Sequence, residues 1–157
     1  MDKKQNLKQA FFAGGCFWRV EHMFKHKHGV ISTSSGYMGG SLDNPTYKDV
    51  CHKDTGHMET VKLMYDPLEI SYEELAKFFF EMHDPTQVNG QGLDFGSQYA
   101  SAVFYEDEKE KTIINKLITI LQDKGHKIVT KLIRAEKFWK AEDYHQNYYG
   151  KRQVNHE

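Results

Sequence analysis

Cys16 stands in "AGGCFWRV", behind Gly14 and Gly15 and directly ahead of two aromatics, Phe17 and Trp18. An apolar run precedes the glycines, and apolar residues at helical spacing follow, which puts the thiol at a strand-to-helix turn. Unpaired backbone N–H groups and the helix dipole favour negative charge there. That position predicts a lowered thiol pKa and a larger thiolate fraction. The glycines permit a sharp turn and leave one side of the sulfur open. A free cysteine is otherwise commonly a buried, inert one, and at this point the two readings stand level. Neighbouring helical residues point about 100° apart. Phe17 and Trp18 therefore do not share one buried stripe, and one of them is expected to line a cavity.

Several chemistries use such a thiol. A cysteine hydrolase needs a histidine base and an orienting partner, and nine histidines leave that open. A cysteine phosphatase needs a phosphate cradle, for which "CFWRVEHMF" offers only Arg19 among bulky neighbours, and a CxxC redox pair is absent. Attack on an oxidised sulfur needs an apolar slot, a carboxyl group and hydroxyl donors. Two loop-to-strand junctions supply these types: "NPTYKDVCHKDTGHMETV" with Tyr47 and Glu59, and "GLDFGSQYASAV" with Asp94 and Tyr99. Glu59 on the solvent face of an edge strand would be inert. Buried near aromatics, its pKa rises and it becomes a proton donor at neutral pH. Tyr47 and Tyr99 are candidate donors to a developing oxyanion. Asp94 is expected to hold one of them, or the Trp18 indole N–H, in place.

The elements that must position these groups follow from periodicity. "QAFFAGG" reads as an inner strand, Cys16 to about Lys27 as a helix, "VISTSSGY" and "METVKLMYD" as strands. The stretch from Ser41 to Gly56 reads as a long ordered loop. Ser71 and Glu74 form a capping box ahead of a helix carrying Leu75, Phe78, Phe79 and Met82. "YASAVFY" is a strand, Asp107 to Lys124 an amphipathic helix stopped by Gly125, and "KIVTKLI" a last strand. The tail "AEKFWKAEDYHQNYYGKRQVNHE" reads as irregular or briefly helical. The order β-α-β-β-α-β is that of a ferredoxin-like, split β-α-β unit. The expected fold is therefore α+β, a two-layer sandwich with a mixed or antiparallel sheet and helices on one face.

With 157 residues and a formal net charge of -1, a single domain over 1–157 is expected, its core about 9–149. The charge balance gives no footprint for nucleic acid or an anionic membrane, and no stretch reaches the roughly 20 apolar residues of a membrane span. "MDKKQNLKQ" does not read as a signal peptide. Two cysteines make no secreted disulfide framework, so a cytoplasmic monomer is expected. His22, His26 and His28 lack a carboxylate or cysteine to complete a metal set; no metal and no cofactor is expected.

The blocks "GGCFW", "GYMGGSLDNPTY", "TGHMETV", "YDPLEISYEEL", "HDPTQ", "GSQYASAVFY" and "FWKAEDYHQNYY" together resemble the type A methionine sulfoxide reductases, from about Ala10 to Tyr149. The resemblance implies thiol-dependent reduction of the S epimer of methionine sulfoxide, free or in polypeptides, to methionine. It implies that Cys16 is the nucleophile, that Phe17 and Trp18 wall the substrate's methyl group, and that Glu59 is the acid. Tyr47 and Tyr99 match the hydroxyl donors, and Asp94 a supporting carboxylate. Arg19, Leu93 and Ala100 depart from the family's common pattern and are expected to alter charge near the pocket mouth. Many members carry resolving cysteines in a C-terminal tail; "YYGKRQVNHE" has none, and Cys51 is the only other thiol. A one-cysteine cycle is expected, with an external thiol reductant (thioredoxin, or glutathione with glutaredoxin) and Cys51 as the alternative resolver. His57 and His145 are expected as structural or pocket-wall residues. Trp139, Glu142, Tyr144 and Tyr148 either pack over the site or form a plain structural tail. A cysteine hydrolase and a redox-sensing module remain the rival classes.

Overall fold

The fold described here is a computed structural model covering residues 6–155; the first five residues of the polar N-terminal segment lie outside it. Strand β1 (Lys8–Gly14) turns into helix α1 (Phe17–Lys25), followed by β2 (Val30–Met38), α2 (Tyr47–His52), β3 (Met58–Tyr65) and α3 (Tyr72–Met82). A small hairpin, β4 (Gly90–Gln91) and β5 (Asp94–Phe95), and a 3-10 turn over Ser97–Tyr99 lead into β6 (Ser101–Tyr105). Helix α4 (Glu108–Asp123), β7 (Lys131–Arg134), β8 (Trp139–Lys140), a 3-10 turn over Asp143–His145 and α5 (Tyr148–Asn155) complete the chain.

The sheet order is β7-β6-β1-β3-β2-β8. Its four middle strands are antiparallel and have the ferredoxin-like arrangement expected from the order of elements. β7 joins β6 in parallel after the α4 crossover, and β8 pairs antiparallel with β2, so the sheet is mixed. α1, α3 and α4 bury Val20, Phe24, Leu75, Phe79, Ile114 and Leu117 in one core on one face of the sheet. The helix ends behave as the sequence dictates. Ser71 accepts from the Glu74 amide, Glu74 answers the Ser71 amide, and Asp107 caps α4.

One stretch differs from expectation. The Ser41–Gly56 segment is not loop throughout, because Thr46 and Asp49 form a second capping box that starts α2. Only Val50 of that helix is buried, so it gave no apolar stripe to read. The tail is briefly helical, as read from the sequence, and it is docked. The Gln146 side chain accepts from the Ser35 N–H and donates to the Ser35 carbonyl, both at 2.9 Å, and the Ala141 N–H donates to the same carbonyl.

The core turns on Phe12, which is fully buried, with the rings of Phe24, Phe79 and Tyr72 stacked around it at 5.2, 5.0 and 6.1 Å between centroids. Phe12→Ala is expected to lower the unfolding free energy by about 3–5 kcal/mol, read from urea melts; a loss under about 1 kcal/mol would show that this stack is not the centre of the core.

Candidate active site

Cys16 is half-buried at the N-cap of α1. Gly15 makes the turn with φ of 97°, and a Cβ there would come within 2.8 Å of the Gln91 side chain. The glycine thus lets the β4–β5 hairpin close down beside the sulfur. The Trp18 and Arg19 amides face the thiol and pull its pKa down, although neither forms a full capping hydrogen bond to it. The expected depression is nevertheless overturned. Burial, then the nearby Glu59 carboxylate, then Asp94 outweigh the two amides and push the thiol up to about 11.

Glu59 lies in β3, which is the third strand of the middle four and not an edge, and it is 1% exposed. Its Oε1 accepts from the Phe17 N–H at 3.1 Å, while Oε2 is buried without a partner among the described residues. Burial raises its pKa to about 8; the Phe17 amide opposes the shift and Asp94 adds to it. At neutral pH the group is a neutral acid at the first amide of the helix that Cys16 caps.

Tyr47 opens α2, and its hydroxyl lies near the Cys51 thiol one turn on and the Tyr99 hydroxyl from the 3-10 turn. Burial raises both tyrosines, Tyr99 to about 12, so each keeps a proton to donate. Asp94 sits exposed on β5, close enough for its charge to act on Cys16, Glu59 and Tyr99. It does not hold the Trp18 indole. That N–H donates to His145 Nδ1 at 2.8 Å, because the docked tail brings a fully buried imidazole under the ring.

The two aromatics after Cys16 part company. Phe17 turns into the core against Tyr37 and His145, whereas Trp18 stays half-buried and stacks on Tyr148 at 3.7 Å. Of the tail residues, His145 and Tyr148 thus build the site, Glu142 joins Tyr37 to Tyr47, and Tyr144 packs on His145. Tyr37 and Glu21 are participants that sequence reasoning missed. Glu21 is buried and accepts from Thr33, Ser35 and the Asn147 amide, which ties the tail to α1. An acidic residue at a buried position of an apolar helix face was the available signal.

The departures fall in different places. Arg19 is exposed and, with Cys16, Gly14, His83, Asp84 and Asp94, lines an open groove of about 700 Å³. Leu93 is 93% exposed. Ala100 is buried between the 3-10 turn and β6, which removes it from the mouth, contrary to expectation. The histidine beneath Gly14, His83, has one ring nitrogen on the Phe79 carbonyl and the other on the Ser101 hydroxyl. Burial lowers its pKa to about 4, so it is no free base for a hydrolase.

A family profile described as Peptide methionine sulfoxide reductase matches residues 8–157. The chain belongs to the peptide methionine sulfoxide reductase family. Peptide methionine sulfoxide reductase MsrA of Sulfolobus acidocaldarius is 47% identical over 146 residues, covering 92% of this chain and 83% of that protein. The crystal structure of Mxr1 from Saccharomyces cerevisiae in reduced form superposes with a TM-score of 0.89 at 35% identity, covering 95% of this chain and 87% of that one. Mxr1 in complex with Trx2 gives a TM-score of 0.65 at 25% identity, over 92% and 86% of the two chains. This member of the family is accordingly an oxidoreductase that reduces methionine sulfoxide at the expense of thiols. Among its described residues no helix is long and apolar enough to cross a membrane.

Glu59 binds its proton more tightly in the folded protein than in the unfolded chain. Between the ordinary value of 4.5 and about 8, raising the pH therefore removes stability through this group, by up to about 5 kcal/mol. Urea melts of the wild type and Glu59→Gln at pH 5 and pH 8 check this: the wild type should lose distinctly more stability across the window. Parallel losses in both proteins would place the acid elsewhere.

Proposed function

We propose that Cys16 attacks the sulfur of the S epimer of methionine sulfoxide, free or within a polypeptide, while Glu59 protonates the departing oxygen. The observation that carries this reading is the buried Glu59 Oε2, unpaired on a carboxyl that stays protonated near neutrality beside the thiol. A sulfoxide oxygen is the acceptor such a group lacks. Tyr47 and Tyr99 donate hydrogen bonds to the same oxygen, and Trp18, with Phe17 behind it, forms the apolar wall for the methyl group. Asp94 supports the site from the rim by disfavouring further negative charge on Cys16 and Glu59.

The proton inventory closes within this pair. In the transition state the Glu59 proton goes to the oxygen, and the proton leaving the Cys16 thiol restores it on Glu59. Attack makes a bond between Cys16 Sγ and the substrate sulfur; passage of the hydroxyl to Sγ then breaks both that bond and the substrate's S–O bond, so thiol and sulfoxide become a Cys16 sulfenic acid and methionine, Cys16 being oxidised by two electrons as the substrate sulfur is reduced. An external thiol then displaces the oxygen as water and forms a mixed disulfide, and a second thiol releases Cys16. The reductant is thioredoxin, or glutathione with glutaredoxin, acting on a monomeric, cytoplasmic catalytic domain. Cys51 stands near Tyr47 on α2, beside the proposed donors, and is the alternative resolver.

Cys16→Ser is expected to abolish dithiothreitol-dependent reduction. Glu59→Gln should lower kcat/KM by about two orders of magnitude and erase an inflection near pH 8 from the pH–rate profile. Retention of that inflection in the variant would remove Glu59 from the acid's role. Mass spectrometry after one turnover should show a gained oxygen or a thiol adduct on Cys16, whereas loss of two hydrogens would make Cys51 the resolver.

A further inference from the structure

Helix α2 delivers Tyr47 yet has little hold of its own. It is six residues long and buries only Val50, and a helix of that length is not stable alone. The placement of its first residue is therefore set from outside. Thr46 and Asp49 satisfy each other's amides in the capping box, which leaves the Tyr47 N–H as an orphan donor at the helix start. That N–H donates to Glu142 Oε2 at 3.0 Å. The other carboxylate oxygen, Oε1, accepts from the hydroxyl of Tyr37 at 2.9 Å, and Tyr37 is fully buried in β2.

Both partners donate to Glu142, whose two carboxylate oxygens accept at once and so hold the Tyr37 hydroxyl as a donor. Its pKa is lowered: although burial works the other way, the Tyr47 amide, its own amide and the Tyr37 hydroxyl hold the charged form. Among the described residues Glu142 has no cationic ion-pair partner. The segment that carries it is itself fixed, by the Ala141 and Gln146 bonds to Ser35 and by the Asn147 amide on Glu21. His145, three residues on, lays its ring against that of Tyr47 at 4.5 Å.

We infer that Glu142 is a positioning residue for the reaction: its carboxylate, locked between the core hydroxyl of Tyr37 and the Tyr47 amide, sets where the Tyr47 hydroxyl stands relative to the sulfoxide oxygen. The C-terminal block, which carries no cysteine, thus takes part through the oxygen and not through the recycling of sulfur. This rests on the reading of Tyr47 as an oxygen donor given above.

A double-mutant cycle on the whole protein tests it, with Glu142→Leu, Tyr47→Phe and the double variant assayed on N-acetyl-methionine-S-sulfoxide with dithiothreitol. Glu142→Leu, which removes both acceptors, should lower kcat about tenfold with KM within about twofold. In the Tyr47→Phe background the same change should cost nothing further, because the hydroxyl it positions is gone. Tyr37→Phe, which releases one carboxylate oxygen and leaves the Tyr47 N–H bond in place, should lower kcat by no more than Glu142→Leu and likewise cost nothing in the Tyr47→Phe background. If Tyr47→Phe is impaired while Glu142→Leu matches the wild type, or if the two losses multiply, the inference fails and the donor reading stands. If Tyr37→Phe still costs activity in the Tyr47→Phe background, the effect runs through core packing and the inference fails. If Tyr47→Phe is fully active, the donor reading itself fails, and this inference with it. Should Glu142→Leu not fold, Glu142→Asp, which keeps both oxygens on a shorter arm, takes its place with the same expected non-additivity.

Discussion

The hydrogen bond from the Phe17 N–H to Glu59 Oε1, 3.1 Å long and fully buried, determines the relation between acid and sulfur. It joins the strand that carries Glu59 to the first turn of the helix that Cys16 caps, so neither group shifts without the other. It also occupies one carboxyl oxygen and leaves the second for a proton. Everything around it maintains that state. β3 lies inside the sheet, Phe17 and His145 shut out water from the helix side, and Asp94 disfavours ionisation from the rim. A carboxyl so placed costs stability in its charged form, and the fold tolerates this because the proton is present under working conditions.

The same enclosure explains why the helix start alone does not produce a thiolate. Two amides face the Cys16 sulfur, but burial and the two acids oppose them. Part of that opposition is conditional: once Glu59 holds its proton, its repulsion of a sulfur anion disappears. Thiol and acid are thus coupled, and the site is poised around the protons it exchanges with substrate rather than around a standing anion.

The elements legible in the sequence were those with their own periodicity or punctuation. β1, α1, β2, β3, α3, β6 and α4 each carry an apolar stripe, an alternation or a cap, and their order alone implied the arrangement of the four middle strands. Helix α2 lacks a stripe, and its signature was the Thr46–Asp49 box inside what otherwise reads as loop. The tail was harder for a different reason. Its docking depends on single long-range bonds from Glu142, His145 and Gln146, which leave no periodic trace. Hence the Trp18 indole, for which Asp94 is one of the partners the sequence suggests, bonds to His145 instead. The chemical types of the site, a thiol, a carboxyl and two phenols, were readable from their junctions; the direction of the Cys16 shift was not, because burial is a property of the assembled fold.

Gln146 also imitates one rung of a β-ladder, offering Ser35 both an acceptor and a donor as a neighbouring strand would. With β8 beyond it at Gly36 and Tyr37, the outer border of β2 is closed where it runs toward the catalytic centre. Damaged, partly unfolded chains are rich in extended segments seeking such a border. From Ser35 to Tyr37 no such segment can pair with β2, so less of that border is left as a template beside the site.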